Sequence, residues 1–243
     1  MVFEAQDFVF EAPPAISRAR RVLIKPSACY PVPYPATTSR DILATIIEGI
    51  RQVSDADILL LEGTPDGSPV YPVYQALGYD FPRVLTLDVK DSIWVEVDNP
   101  LAKSLAVQTF WVPNVILSSD YLMTVAPLKV LAGKAYLSIM NLLSTLPSVK
   151  YASETKGNWD ALYSLGIDRV ITDLYFTLPF DLGIVEARQK FVSSGNPTWG
   201  RVEECGKIFV GEPYGVDCEA SATLGLKTKY LDLIKVAKAE FEA

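Results

Sequence analysis

The chain has 243 residues, 49% of them hydrophobic, with a formal net charge of -7. That is enough apolar material for a large core and excludes a disordered chain, while the acidic balance supplies no positive field for general nucleic-acid or anionic-membrane binding. There is no histidine, which excludes Ser-His-Asp and Cys-His triads and the usual zinc and facial-triad iron sites, and leaves proton transfer to Lys, Asp, Glu, Tyr or Cys.

In chain order, "MVFEAQDFVFEAPP" carries acids where a signal peptide carries bases, and no window reaches transmembrane length. A cytoplasmic protein with no membrane partner is expected. "RRVLIKP" (20–26) is a β-branched apolar run closed by proline and predicts a buried strand. "SRDILATIIEGIRQVS" (39–54) has apolar residues at 42, 43, 46, 47, 50 and 53, a helical stripe, with Thr38 as the expected N-cap. The connection "KPSACYPVPYPATTSR" (25–40) is far longer than the two to six residues usual between strand and helix. Lys25 closes the strand, and Thr37, Thr38, Ser39 and Arg40 surround a helix start whose free amides favour an anion. Plain capping by the hydroxyls, with Lys25 reaching outward, is the competing reading.

"ADILLLEG" (56–63) and "RVLTLD" (83–88) read as buried strands and "IWVEVD" (93–98) as a half-exposed one. In "LEGTPDGSP" (61–69), Glu62 and Asp66 suit either a metal or a solvated turn. Pro65 rules out a dinucleotide fingerprint. "NVILSSD" (114–120) reads as a strand or a helix end, and "YLMTVAP" (121–127) as a strand. A helix is expected at about 130–145, with Lys134, Ser138, Asn141 and Thr145 on one face, turned to water or to a polar cavity. Further helices are expected at 158–165, 167–177 and 214–224, strands at 182–187 and 207–211, and a terminal helix in "KYLDLIKVAKAEFEA". Glu186 ends a strand, and the loop "SSGNPTWG" contributes Asn196. Asp217 falls in the first turn of a helix, where dipole pairing alone explains an acid. Cys29, Cys205 and Cys218 are isolated, so reduced thiols are expected, with no self-contained iron–sulfur or zinc motif and the cofactor unknown. Strands alternating with helices predict a single large α/β domain over 1–243, a mostly parallel sheet flanked by helices.

The ordered segments "VLIKPS", "ATTSR", "LEG", "APLKVL", "SIMNLL", "IVEA…SSGNPTWG" and "GEPYGVD" resemble domain-of-unknown-function family 362 over about residues 20–226. Members of that family typically read "VLIKPN", a threonine-rich segment, "EG", "PKLKTH", "LKNL", "D-G-I…EGNGP…G" and "G-D-P-V-A-V-D". Here Lys129, Val130 and Leu131 stand for Lys-Thr-His, and Met140 replaces the lysine before Asn141. Ser193 takes the place of an acid, Glu186 that of an aspartate, and Asp217 keeps the final acid. Some relatives carry ferredoxin-type cysteine motifs that this chain lacks.

The resemblance implies a site whose titrating ring and one ammonium have been replaced by apolar side chains. The expected function is binding of a small anionic ligand, with Lys25, Thr37, Thr38, Glu62, Lys129, Asn141 and Asn196 as binding candidates. An alternative is a histidine-free enzyme, metal-assisted or redox-linked, with Lys129, Glu186 and Asp217 as catalytic candidates and Glu62 as a further acid. A second alternative is an interaction module anchored by Trp94, Trp111, Trp159 or Trp199.

Overall fold

The computed structural model describes residues 1–153 and 159–241. Its first strand, β1 (Val2–Glu4), is followed by two 3-10 turns, Ala5–Asp7 and Pro14–Arg18. Then come β2 (Arg21–Pro26), α1 (Arg40–Val53), β3 (Asp57–Glu62), α2 (Tyr71–Leu77) and β4 (Val84–Asp88). A separate antiparallel pair, β5 (Trp94–Asp98) and β6 (Thr109–Pro113), leads through one helical turn, α3 (Asn114–Leu117), to β7 (Tyr121–Leu131) and β8 (Lys134–Tyr136). The 3-10 segment Met140–Thr145 and the short α4 (Ser148–Tyr151) and α5 (Asp160–Ser164) precede α6 (Ile167–Thr177). β9 (Leu182–Ser193), β10 (Arg201–Gly211), α7 (Pro213–Leu224) and α8 (Lys229–Phe241) complete the chain.

The main sheet runs β1-β10-β9-β7-β2-β3-β4, with β8 paired to β7. The four pairings among β9, β7, β2, β3 and β4 are parallel, and β10 and β1 are antiparallel at one edge. Continuous apolar runs in β2 and β3 follow from burial on both faces. Val22, Ile24, Ile58 and Leu60 enter the core beneath α1 and α2, whereas Leu23, Leu59 and Leu61 enter the core with α6, α8 and the 3-10 segment. The expected α/β architecture, a mostly parallel sheet flanked by helices, is the one observed, with antiparallel strands added at one edge and by β8. No helix among the described residues is long and apolar enough to cross a membrane.

Three local expectations are corrected. The helix expected at 130–145 is the end of β7, a hairpin into β8, and a 3-10 segment. Ala132 and Gly133 have φ of 49° and 77°, the left-handed pair of a two-residue hairpin turn, and a helix cannot run through it. The polar stripe accordingly dissolves: Lys134 is exposed and 3.6 Å from Asp168, while Ser138 and Thr145 are buried. The N-cap of α1 is Ser39, not Thr38; its side chain accepts from the Ile42 amide. The N-cap of α7 is Glu212, so Asp217 lies past the first turn and is fully buried. The segment 114–120 is helical at its start, the second of its two readings. Residue 158 of the expected 158–165 helix, and residues 242–243 of the terminal one, lie outside the described residues.

Candidate functional site

The chain first builds β2 and β3, steps outward to β4, and later returns to place β7 on the other side of β2. Strand order therefore reverses between β2 and β7. Such a switch point opens a crevice outside the carboxyl ends of the two strands. The last β2–β7 partners are Pro26 and Val125, and β7 continues to Leu131. Lys129 thus projects beyond the end of β2, facing the loop that begins at Ser27.

A cleft of about 270 Å³ occupies this crevice. Its polar groups come from Ser27, Cys29, Thr37, Lys129, Asn141 and Ser144, and much of its wall from Leu131, Leu137, Met140, Leu143 and Trp159. Tyr30, Tyr136 and Tyr163 stand around it, with Gly195 and Pro197 from the β9–β10 loop. Met140 and Leu131, the two apolar residues at which the sequence departs from the family it resembles, both line it.

The two lysines have different fates. Lys25 Nζ is fully buried, 2.8 Å and 2.9 Å from the two Glu62 oxygens, and donates to the Pro26 carbonyl at 2.6 Å. Glu62 also accepts from the Ala28 amide at 2.6 Å and its neighbour Gly63 at 2.9 Å. This closed set neutralises Lys25 and ties the Ser27 loop to β3. Gly63 fits closely there, since a Cβ would sit 3.0 Å from the Ser144 carbonyl oxygen and 3.1 Å from the Val89 side chain. Lys129 is half-buried and donates to Ser27 Oγ at 2.9 Å. No carboxylate among the described residues lies within ion-pair distance of it. Burial lowers its proton affinity, because the charged form loses water.

Cys29 is pushed up to about 12 by burial and then by the Glu62 charge, with Lys25 and Lys129 opposing. It remains a neutral thiol around neutral pH. Asn141 Nδ2 donates to the carbonyls of Lys25 and Pro26 and to Thr124 Oγ1, at 3.1, 3.3 and 3.1 Å. It fastens the 3-10 segment over β2 and β7, and among the described residues its Oδ1 accepts no hydrogen bond. Thr37 lines the cleft with its hydroxyl donated to Val32 O at 2.6 Å. Thr38 is behind the wall: its hydroxyl accepts from Ser27 N at 2.8 Å and donates to Val125 O at 2.7 Å.

Glu186 and Asp217 are buried anchors outside the cleft lining. Glu186 accepts from Ser39 N at 3.0 Å, from Ser39 Oγ at 2.7 Å and from the Arg188 guanidinium, fixing the start of α1. Burial raises its proton affinity against the pull of Arg188. Asp217 accepts from Ser138 N and Oγ at 2.9 and 2.6 Å, from Ile139 N at 3.0 Å, and from Tyr230 Oη at 2.8 Å. This latch joins α7 and α8 to the turn that carries Leu137, Met140 and Asn141. Burial pushes Asp217 up to about 6 although all four hydrogen bonds pull it down. Asn196 is exposed, and its Oδ1 accepts from Thr198 N at 2.8 Å and Trp199 N at 3.0 Å within its own loop.

The cleft therefore brings together Thr37, Lys129 and Asn141, with the Lys25–Glu62 pair directly behind. It does not gather Thr38, Glu186, Asn196 or Asp217. No Asp or Glu among the described residues lines it, and no three His, Cys, Asp or Glu among them are placed to hold a metal ion. Trp159 is buried with its indole donated to Leu146 O, Trp94 and Trp111 are half-buried against Lys150, and Trp199 is 78% exposed. Ser27, Cys29 and Ser144 are additional polar lining groups; Ser27 and Cys29 sit in the long proline-rich loop already conspicuous in the sequence.

Among known proteins, no family model and no curated protein matches the chain. Among solved structures, the lactate racemase apoprotein from Thermoanaerobacterium thermosaccharolyticum is similar, with a TM-score of 0.55 at 13% identity over 90% of this chain. The match covers 53% of that structure, so the chain spans about half its length. At this identity the likeness concerns the α/β fold alone.

Proposed function

We propose that the cleft binds a small organic anion, with the acidic group against Lys129 and an apolar body against Leu137, Met140 and Leu143. The observation that carries this reading is a half-buried ammonium that opens on a cavity with no carboxylate partner among the described residues, beside a second lysine fully neutralised by Glu62. An unpaired ion against an apolar wall is costly, and an incoming carboxylate or phosphate relieves that cost. One free cation balances one acidic group, so a monoanion fits and a nucleoside triphosphate does not. The volume, near the small end of ligand pockets at roughly 300–1,000 Å³, also favours a small molecule.

We further read the chain as a divergent, cytoplasmic member of domain-of-unknown-function family 362. The support is that "VLIKPS", "LEG", "APLK" and "MNLL" all contribute to one crevice through Ser27, Glu62, Lys129 and Asn141, and that the three cysteines are free thiols. Free thiols are typical of a reducing compartment.

The test is calorimetric titration with straight-chain carboxylates of increasing length and with inorganic phosphate. Carboxylates bind the wild-type chain and tighten by up to about 0.8 kcal/mol per buried methylene. Lys129→Met, which keeps the length and loses the charge, abolishes the binding. Equal affinity in that variant overturns the reading.

A further inference from the structure

We infer that Lys129 condenses with the keto carbon of a 2-oxo acid carrying an apolar tail, and that such acids are the anions the cleft takes. This deepens the anion-binding reading and rests on it. Three features of the cleft lead there.

The first is the state of the amine. Lys129 has one hydroxyl partner, Ser27 Oγ, and no carboxylate among the described residues. Burial favours its neutral form, and the Lys25 charge, which acts in the same direction, is taken up by Glu62. Two groups act the other way, Glu62 and a Cys29 thiolate. Glu62, however, has both oxygens on Lys25, and Cys29, pushed up to about 12, carries no charge near neutrality. A lysine desolvated in an apolar pocket is the arrangement that turns an ammonium into a nucleophile.

The second is charge balance. The Lys129 ammonium first gives one proton to solvent, and the amine lone pair attacks C2 of the 2-oxo acid to give a carbinolamine. The new C2 hydroxyl leaves with the remaining amine proton as water, and a ketimine joins Nζ to C2. That nitrogen takes a proton back from solvent, which restores one positive charge next to the C1 carboxylate. The cleft therefore holds one cation and one anion before and after the bond forms. A simple aldehyde would leave the iminium unpaired against the apolar wall, which selects for the neighbouring acid.

The third is the surroundings. Leu137, Met140, Leu143 and Trp159 receive an apolar tail. No Asp or Glu among the described residues lines the cleft to take a proton from C3. The adduct is thus a reversible covalent complex, returned to amine and keto acid by water.

The experiment compares 4-methyl-2-oxopentanoate with 4-methylpentanoate, the same acid without the keto group. Each is incubated with the full chain and sodium cyanoborohydride, followed by intact mass measurement and peptide mapping, with binding followed separately by ligand-observed NMR. The expected result is one reduced adduct, on Lys129, from the keto acid only. Lys129→Arg loses the adduct; if this variant does not fold, the wild-type peptide map decides alone. Binding of both acids with no adduct on Lys129, or adducts spread over the other lysines at comparable yield, overturns the imine and leaves the anion site standing. Failure of either acid to bind the wild-type chain overturns both.

Discussion

Lys25 and Lys129 stand on neighbouring strands of the same sheet, yet one is locked in a buried ion pair and the other opens on the cleft. The difference is Glu62. Its two oxygens take the Lys25 ammonium and the Ala28 and Gly63 amides, a fully buried set in which each charge depends on the other. Removing one member leaves a buried ion without compensation, which costs about 3–5 kcal/mol. Glu62→Gln is therefore expected to lose about that much stability in urea unfolding, whereas Lys129→Met, at a half-buried position with no ion pair among the described residues, is expected to change it by under about 1 kcal/mol. A Glu62→Gln chain as stable as wild type would show that the pair carries no such dependence. Position at strand ends and spacing pointed to Lys25, Glu62 and Asn141, and the family resemblance to Lys129. Which lysine was already paired was not legible, because Glu62 reaches Lys25 only across the β2–β3 pairing. Asn196 was conspicuous in its loop, but its side chain closes that loop on itself.

Among the elements, the decisive one is the hairpin from β7 into β8 followed by the 3-10 segment. Leu and Met at helical spacing suggest a helix over 130–145, but the turn at Ala132 and Gly133 breaks it. Gly133 was the visible sign; the left-handed Ala132 was not, since alanine rarely adopts that conformation. The segment after the turn has poor hydrogen bonding of its own and is held by Asp217 through Ser138 and Ile139. This latch has a pH signature. Its folded value, about 6, lies above the ordinary 3.8, so between those values the folded chain keeps a proton that the unfolded chain has lost. The stability linked to that proton is fully present below about pH 4 and declines as pH rises to about 6, then stays level. Unfolding free energies of the wild type minus those of Asp217→Asn should fall across this window. A difference that rises there contradicts the account.

For the whole molecule, the position of the cleft follows from topology. The run of buried strands and the long loop after β2 were enough to expect an α/β sheet with its ligand face at the strand ends. The reversal of strand order between β2 and β7 was not readable, because sequence order does not say on which side of β2 the later strand inserts. That reversal makes the crevice, and the residues from the β2 loop, β7 and the 3-10 segment meet in it although they are far apart in the chain. Glu186 and Asp217, from β9 and α7, brace its two flanks rather than enter it. The most direct measurement is amide chemical-shift mapping of the labelled chain during titration with 4-methylpentanoate. The account predicts saturable shifts gathered at Ser27, Cys29, Asn141 and Ser144, absent in Lys129→Met. Shifts scattered over the surface, or centred away from this crevice, would contradict it.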